Sequence, residues 1–361
     1  IFVVKIKNIM KVCILGDGLV SLTLAKALIN EEIYVDIISS KKKIIHDKDR
    51  SLGISKSNIE FFNQNIINID KLIWNINRIK IFSENFENKK ILDFQNENHK
   101  LFSIVKNYKL YNLLFSKLKK NKFVNFKKEF KAGHYKLIIN CDFAGSITKK
   151  FFYNKFYKDY ESYAYTTIIK HKKIDKNFTA SQIFTKNGPL AFLPISNNLT
   201  SIVYSVRDKK NIKIGDEIEK YNLGYEIIKV GKVNISKLGF SSLRSYYYNN
   251  ILAFGDLLHR LHPLAGQGFN MSIRDIKELL KLIKLKKENG LDLDSSICSS
   301  FEKKTKHKNY LFSSGIDLIY ESFKLESKTN TNILSKSLNF INKNKNFNKI
   351  FTDFADNGLV I

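Results

Sequence analysis

The chain predicts an α/β fold, in which a Rossmann-like nucleotide-binding unit is interleaved with a mainly antiparallel β-sheet unit and followed by C-terminal helices. Three observations predict it. Near the amino terminus an apolar strand, 11–15, runs into Gly16-Asp17-Gly18 and then an amphipathic stretch, 19–30. Far along the chain, 251–275 repeats that logic with a strand, a Gly-Asp turn, a His-Pro step and a second glycine-spaced helix start. Between them, 61–100 and 151–240 are rich in Phe, Tyr and Ile in short alternating runs, which suits sheet rather than helix.

In the first unit, Leu22, Ala25, Leu28 and Ile29 fall on one helical face, as a helix packing on a parallel sheet requires. Gly16 and Gly18 are two of the three glycines of GxGxxG, and Ser21 holds the third place. A lone GxG is weak, but a strand before and a helix after make it a dinucleotide fingerprint. The third glycine serves helix–strand packing, so serine is tolerable there. A second strand, 34–38, ends at Ser39, where a ribose-binding acid is expected roughly 20 residues on. Ser39 and Ser40 can hydrogen-bond a ribose, without charge assistance.

In the second unit, strand 251–254 delivers Gly255 and Asp256 at the carboxyl end of a sheet, where ligands bind in open α/β folds. Pro263, Ala265, Gly266 and Gly268 then let backbone approach something flat or anionic just before a helix, 269–285, begins. The exposed N–H groups of such a helix start favour negative charge. All 3 prolines of the chain, at 189, 194 and 263, fall in stretches singled out by pattern.

The run Gly255, Asp256, His259, His262, Pro263, Ala265, Gly266, Gln267, Gly268, Asn270, Asp275 resembles the second signature of flavin-dependent aromatic hydroxylases, most closely the ubiquinone-biosynthesis branch. Leu257 and Leu258 stand where that family usually has alanines. Softer segments extend the likeness. Asp49 to Ile54 is similar to the family's Asp-Arg stretch, which implies Arg50 near the flavin. Ser103 to Asn107 is similar to the Val-Glu-Asn step and makes Val105 a candidate contact. Leu137 to Ser146 resembles the strand followed by Asp-Gly-x-x-Ser, which implies a cofactor role for Asp142, with Phe143 in place of the glycine. Gly188 to Pro194 resembles the GPxAxLP strand of the sheet above the flavin ring.

The resemblance implies FAD as cofactor, with NADH or NADPH as transient electron donor. Its candidate contacts are Gly16, Gly18, Ser21, Ser39, Arg50, Val105, Asp142, Gly255, Asp256, Pro263, Ala265, Gly266, Gln267, Gly268, Phe269 and Asn270. It implies 1–60, 101–150 and 241–290 as the FAD-binding domain, 61–100 and 151–240 as the substrate domain, and 291–361 as a C-terminal helical segment. The implied reaction is hydroxylation of an aromatic ring by molecular oxygen through a flavin hydroperoxide. A prenylated phenol of ubiquinone biosynthesis is the implied substrate, in a quinone-biosynthesis complex. No general base for the phenol can be named. Another oxidoreductase of this fold, or a catalytically weak scaffold member of such a complex, are the alternative readings.

Composition sets outer limits. With 361 residues, 43% of them hydrophobic, the chain can bury a substantial core in about two lobes. Lys+Arg 61 against Asp+Glu 34 gives +27. That balance has three readings: compositional bias on a solvated surface, attraction to anionic lipid, or nucleic acid, and no recognised motif supports the last. Cys13, Cys141 and Cys298 are too few and too widely spaced for a disulfide framework or a CxxC site. His259 and His262 lack a nearby carboxylate or cysteine at matching spacing, so no metal is expected. No apolar run reaches the ~18 residues of a membrane span, and Met10 reads as a plausible start. A cytoplasmic location is expected, with peripheral association at the inner membrane face as its extension. The spacing of Ile297, Phe301, Phe312, Ile316, Ile319 and Phe323 predicts a helix whose apolar face packs under the cofactor lobe or meets lipid. Asn342 to Lys349 reads as a loop or mobile tail.

Overall fold

The computed structural model describes residues 10–39, 50–95, 100–208, 212–341, 353 and 356–358. Ser40, Asp49 and the stretch 342–349 lie outside the described residues, as does the side chain of Ala265. In chain order the first elements are β1 (Lys11–Leu15), α1 (Leu19–Asn30), β2 (Tyr34–Ile38), β3 (Ser51–Ser55), α2 (Lys56–Asn65), β4 (Ile73–Ile76), β5 (Arg78–Ser83), β6 (Lys89–Gln95), β7 (Phe102–Lys106) and α3 (Asn107–Lys119). Then come β8 (Val124–Lys127), β9 (Ile138–Asn140), α4 (Ser146–Phe151), β10 (Lys155–His171), β11 (Thr179–Thr185), β12 (Gly188–Pro194), β13 (Leu199–Arg207), α5 (Ile214–Lys220) and β14 (Ile227–Val230). The chain finishes with β15 (Asn234–Leu243), β16 (Tyr247–Tyr248), β17 (Ile251–Ala253), β18 (His259–Arg260), α6 (Gln267–Glu288), α7 (Ser295–Thr329) and α8 (Ile333–Ile341).

Among the described residues these strands form three sheets. The first runs β16-β17-β9-β1-β2-β8, and every pairing in it except β16 with β17 is parallel. A parallel sheet is covered on both faces, so its strands are apolar almost throughout. Val12, Cys13, Ile14, Val35, Ile37, Ile138, Ile139 and Leu252 are fully buried. Leu22 and Leu28 of α1, Leu114 of α3, and Ile276 and Ile283 of α6 join them in the main core. Each such side chain contributes about 1.5–3 kcal/mol by leaving water.

One charge is buried in this sheet. Asp36 on β2 takes Lys127 at 2.7 Å, Lys11 at 2.9 Å and the Tyr135 hydroxyl at 2.6 Å. Burial alone would raise its pKa, but these partners and Asn125 outweigh it and hold the carboxyl at about 2. The network ties the start of β1 to the outer strand β8.

The second sheet, β18-β15-β10-β13-β12-β11-β5-β6 with β14 on β10, is antiparallel except where β11 meets β5. A small third sheet has the order β3-β7-β4. Segment 61–100 is therefore shared: β4 pairs with β7, while β5 and β6 extend the large sheet. Likewise β18, within 241–290, pairs with β15 at Ser241 and Ser242. α6 starts at Gln267, two residues before its expected first residue, because Gly266 in the left-handed region (φ 63) turns the chain directly into it.

The apolar face expected on α7 packs inward. Ile297 and Phe301 join the main core, and Phe312, Ile316 and Phe323 pack with Phe184, Leu264 and Met271 between α7 and the large sheet. The buried carboxylate of Glu326 accepts the backbone N–H of Ser335 at 2.9 Å and its hydroxyl at 2.6 Å, which locks α8 to α7.

Candidate functional site

Parallel register determines where the glycines meet. Leu15 lies opposite Ile38 and Asn140, and Asn140 lies opposite Ala253, so four strands end at one level. The loops leaving those ends begin with Gly16, Ser39, Cys141 and Phe254. A Cβ placed on Gly16 would stand 3.3 Å from the Asp142 nitrogen, and one on Gly255 would stand 3.0 Å from Val20 in the first turn of α1. Gly16 and Gly255 both have positive φ, 95° and 65°, and no residue with a side chain fits either place without strain.

The second helix start packs against the small sheet, at β3. A Cβ on Gly266 would lie 3.5 Å from the Gly53 nitrogen on β3. Asn270, 2% exposed, fixes that approach. Its amide oxygen accepts from the Ser55 N–H at 2.9 Å and the Asn58 amide at 3.0 Å, while its nitrogen donates to the Gly53 carbonyl at 3.1 Å. Asn270 thus clamps the first turn of α6 to β3 and α2.

Both helix starts are bare. Neither α1 nor α6 has a side-chain cap, and neither has an acidic residue in its first turn. A helix end leaves its first N–H groups without intrahelical partners, carrying roughly half a positive charge. Around Gly18 and Gly268 beside them, a would-be Cβ meets open space within 4 Å, apart from their chain neighbours and, at Gly268, the helix's own backbone. These openings suit a flat, anionic ligand approached by backbone. They fit FAD on the observation of open, uncapped donor ends rather than on motif alone.

The other candidates divide by position. Asp142 is turned on its own loop, accepting the Ala144 N–H at 3.1 Å, with its carboxylate against Gly145. Asp256 is exposed, in a 3-10 turn with Gly255 and Leu257. Burial pushes the Cys141 thiol up, and the nearby charges of Asp256 and Asp142 push the same way, against a hydrogen bond from Ser21. Ser21 is buried in the contact between α1 and the strand ends. Val105 is buried in β7, and Arg50 is exposed just before β3, its carbonyl accepting the Asn107 N–H at 3.0 Å. Ser39 donates its N–H to the Lys127 carbonyl at 3.0 Å. Pro263 precedes the 3-10 turn Leu264–Gly266, and Gln267 and Phe269 are buried in the first turn of α6. Leu257 and Leu258 point into the main core, which accommodates their extra volume.

Of the remaining residues around these loops, Asn58 carries no sequence signal, while Asp17, Gly53, Asn107 and Phe143 stand in stretches singled out by pattern. Gly53 and Asn58 complete the clamp, and Asp17 Oδ1 and Asn107 Oδ1 are buried acceptors with no partner among the described residues. Phe143 is 39% exposed, with Lys155 Nζ 5.1 Å and the Arg260 guanidinium 5.9 Å from its ring centre. The two motif histidines separate in role. His259 donates to Asp275 at 2.6 Å, and Asp275 also accepts from the Asn309 amide at 2.9 Å, so Asp275 bonds side chains rather than backbone.

His262 is 1% exposed, stacked 4.0 Å from the Tyr320 ring and edge-on to Tyr160. Burial lowers its pKa from 6.5 to about 3. As pH falls below 6.5, the unfolded chain binds a proton that the folded chain refuses, so folding stability drops until pH reaches about 3. Between pH 7 and 5 the wild type should lose about 2 kcal/mol more than a His262→Phe variant in urea titrations. Equal losses would show that the imidazole is not held neutral.

The chain shares its fold with solved FAD-dependent monooxygenases. p-Nitrophenol 4-monooxygenase PnpA from Pseudomonas putida DLL-E4 matches with a TM-score of 0.76 at 11% identity, over 98% of this chain and 99% of that one. HpxO from Klebsiella pneumoniae, solved with FAD and uric acid, matches with a TM-score of 0.73 at 12% identity, over 97% and 98%. Its sequence relatives include proteins named for ubiquinone biosynthesis. The 3-demethoxyubiquinol 3-hydroxylase of Escherichia coli (strain K12) is 29% identical over 155 residues, 39% of each protein. The mitochondrial ubiquinone biosynthesis monooxygenase COQ6 of Schizosaccharomyces pombe is 21% identical over 274 residues, 62% of this chain and 57% of that protein. The Dictyostelium discoideum counterpart is 23% identical over 93% of this chain and 88% of its own length. The chain thus spans 39% and 57% of the first two relatives. No family model matches it.

Proposed function

We propose that this protein is an FAD-dependent monooxygenase that hydroxylates an aromatic ring, a prenylated phenol of ubiquinone biosynthesis, with NADH or NADPH as electron donor. One observation supports the reading: two helix starts, distant in sequence, are uncapped, and each has an open glycine at its first turn, Gly18 and Gly268. FAD, when bound, supplies the oxygen chemistry.

The protein's own residues bind, orient and exclude water. N–H groups at the start of α1 hold the pyrophosphate, and Asp17 Oδ1 and Asn107 Oδ1 accept hydroxyl protons of the ribose or ribityl chain. The N–H groups of Gly266 to Phe269 would supply donors to an anionic group of the bound flavin, with the logic of an oxyanion hole. Gly16, Gly18, Gly255, Asp256, Pro263 and the Gly266 to Asn270 segment form the contact set. Phe143, with Lys155 and Arg260, sits where a small residue would leave room for a reductant. Peripheral attachment to the inner face of a membrane, within a quinone-biosynthesis complex, completes the proposal.

The purified protein should carry flavin, NADH or NADPH should bleach it when a prenylphenol is present, and isotopically labelled oxygen should appear in the product. Flavin bleached without label in the product would reject hydroxylation in favour of another oxidoreductase. Flavin that no nicotinamide nucleotide bleaches would point to the scaffold reading that Phe143 motivates.

A further inference from the structure

The inward face of α7 is accounted for by packing, but a second stripe lies about a third of a turn away. Leu311, Leu318 and Leu325 recur every seventh residue and are 48%, 67% and 63% exposed. At seven residues per two turns they stand nearly in line along the helix. The same line continues backward to the exposed Lys304. Between the leucines it passes Ser314, Gly315, Glu321 and Ser322, and the one carboxylate among them, Glu321, is paired with Lys158 at 3.0 Å and Lys324 at 3.3 Å. On α8, Ile333 and Phe340 are also seven apart and 71% and 77% exposed, with the exposed Lys336 between them. The Glu326 carboxylate bonded to Ser335 holds the two helices as one unit.

Five large apolar side chains left in water on one helical pair are more than scattered surface hydrophobics. Among the described residues, unpaired basic charge lies toward the N-terminal half of α7, while Asp317 and Glu321 near the leucines are neutralised by Lys158 and Lys324. An open cleft of ≈ 930 Å³ adjoins the N-terminal half of α7, lined by Arg244, Lys303, Lys306, His307, Phe156 and Tyr247 among others. Glu302 pairs with Lys306 at 2.7 Å there. The chain as a whole carries +27.

From this juxtaposition we infer that the outer face of α7 and α8 docks onto an anionic lipid bilayer, leucines into the acyl boundary and the basic cleft against phosphate headgroups. A second copy of the chain fits less well. One leucine per seven residues with serine and glycine between is half of the apolar seam that paired helices need, and two such copies would bring like charges together. A bilayer needs only a narrow apolar stripe with a basic border. The inference deepens the membrane part of the proposal above and rests on it for biological purpose, not for its test.

The test is co-sedimentation of the full chain with vesicles of phosphatidylcholine alone or with one-third phosphatidylglycerol. Binding to the anionic vesicles only, weakened by salt, is expected. The combined Leu311→Ser, Leu318→Ser, Leu325→Ser variant should bind at least about tenfold more weakly with an unchanged thermal midpoint. Lys304→Gln and Lys303→Gln should each weaken binding about fivefold. If the triple variant is unstable, the single Leu318→Glu variant carries the same expectation. Wild-type binding by the leucine variant, or no preference for anionic vesicles, would overturn the inference. So would a wild-type dimer in sedimentation that the leucine variant dissolves, because the stripe would then be a seam between copies. Hydroxylation of detergent-dispersed prenylphenol is read separately, so loss of vesicle binding with labelled product retained condemns the docking surface alone.

Discussion

Gly18→Ala is expected to leave the folded protein intact and to weaken flavin retention at least about tenfold. Gly18 sits at the N-cap of α1 with φ −70 and ψ 175, an extended conformation that any residue adopts. Apart from its chain neighbours, no protein atom lies within 4 Å of the new methyl group, so the cost to folding is that of a less favourable cap, under about 1 kcal/mol. The methyl group would enter the space where a pyrophosphate must approach the backbone. Gly255→Ala is the contrasting variant. It forces a side chain into φ 65 and to within 3.0 Å of Val20, and should destabilise the protein itself by about 1–3 kcal/mol. Thermal unfolding of the flavin-free proteins and flavin titration separate the two effects. Wild-type flavin affinity in Gly18→Ala would remove the cofactor from this edge.

Asp275→Ala is expected to destabilise the fold by about 3–5 kcal/mol, measured by urea unfolding at neutral pH. Asp275 and His259 are both nearly sealed from water, 1% and 2% exposed. Removing the carboxylate orphans the His259 ring nitrogen it accepts from and one Asn309 amide hydrogen together. A buried donor without a partner costs the desolvation it has already undergone. Replacing both members with apolar residues, His259→Phe with Asp275→Leu, should recover part of the loss. A loss under about 1 kcal/mol in the single variant would mean that water reaches this pair.

The parallel-sheet half of the fold is legible because its signals are local. β1, α1 and β2 fall where apolar runs and glycine turns place them, and Gly16 and Gly255 both stand in the loops at the carboxyl ends of the parallel strands. What was not legible depends on partners far off in sequence. Nothing in the spacing of 241–290 shows that two residues after β17 leave the parallel sheet to pair with β15. Gly53 and Asn58 gain meaning only when Asn270 reaches them. α7 carries two apolar stripes, and the sequence pattern drew attention to the inner one because its aromatic residues are larger. Asp36 has no motif, since its burial follows from Lys11, Lys127 and Tyr135 closing over it.

The clamp made by Asn270 also bears on when the protein becomes competent during synthesis. β3 and α2 leave the ribosome more than 200 residues before the amide that fixes them, and β17, the last strand of the parallel set, emerges only shortly ahead of it. A nascent chain ending before that point has half a cradle with no lid. On the proposed function, cofactor loading waits for the last third of translation, and chains truncated before Asn270 would be released empty.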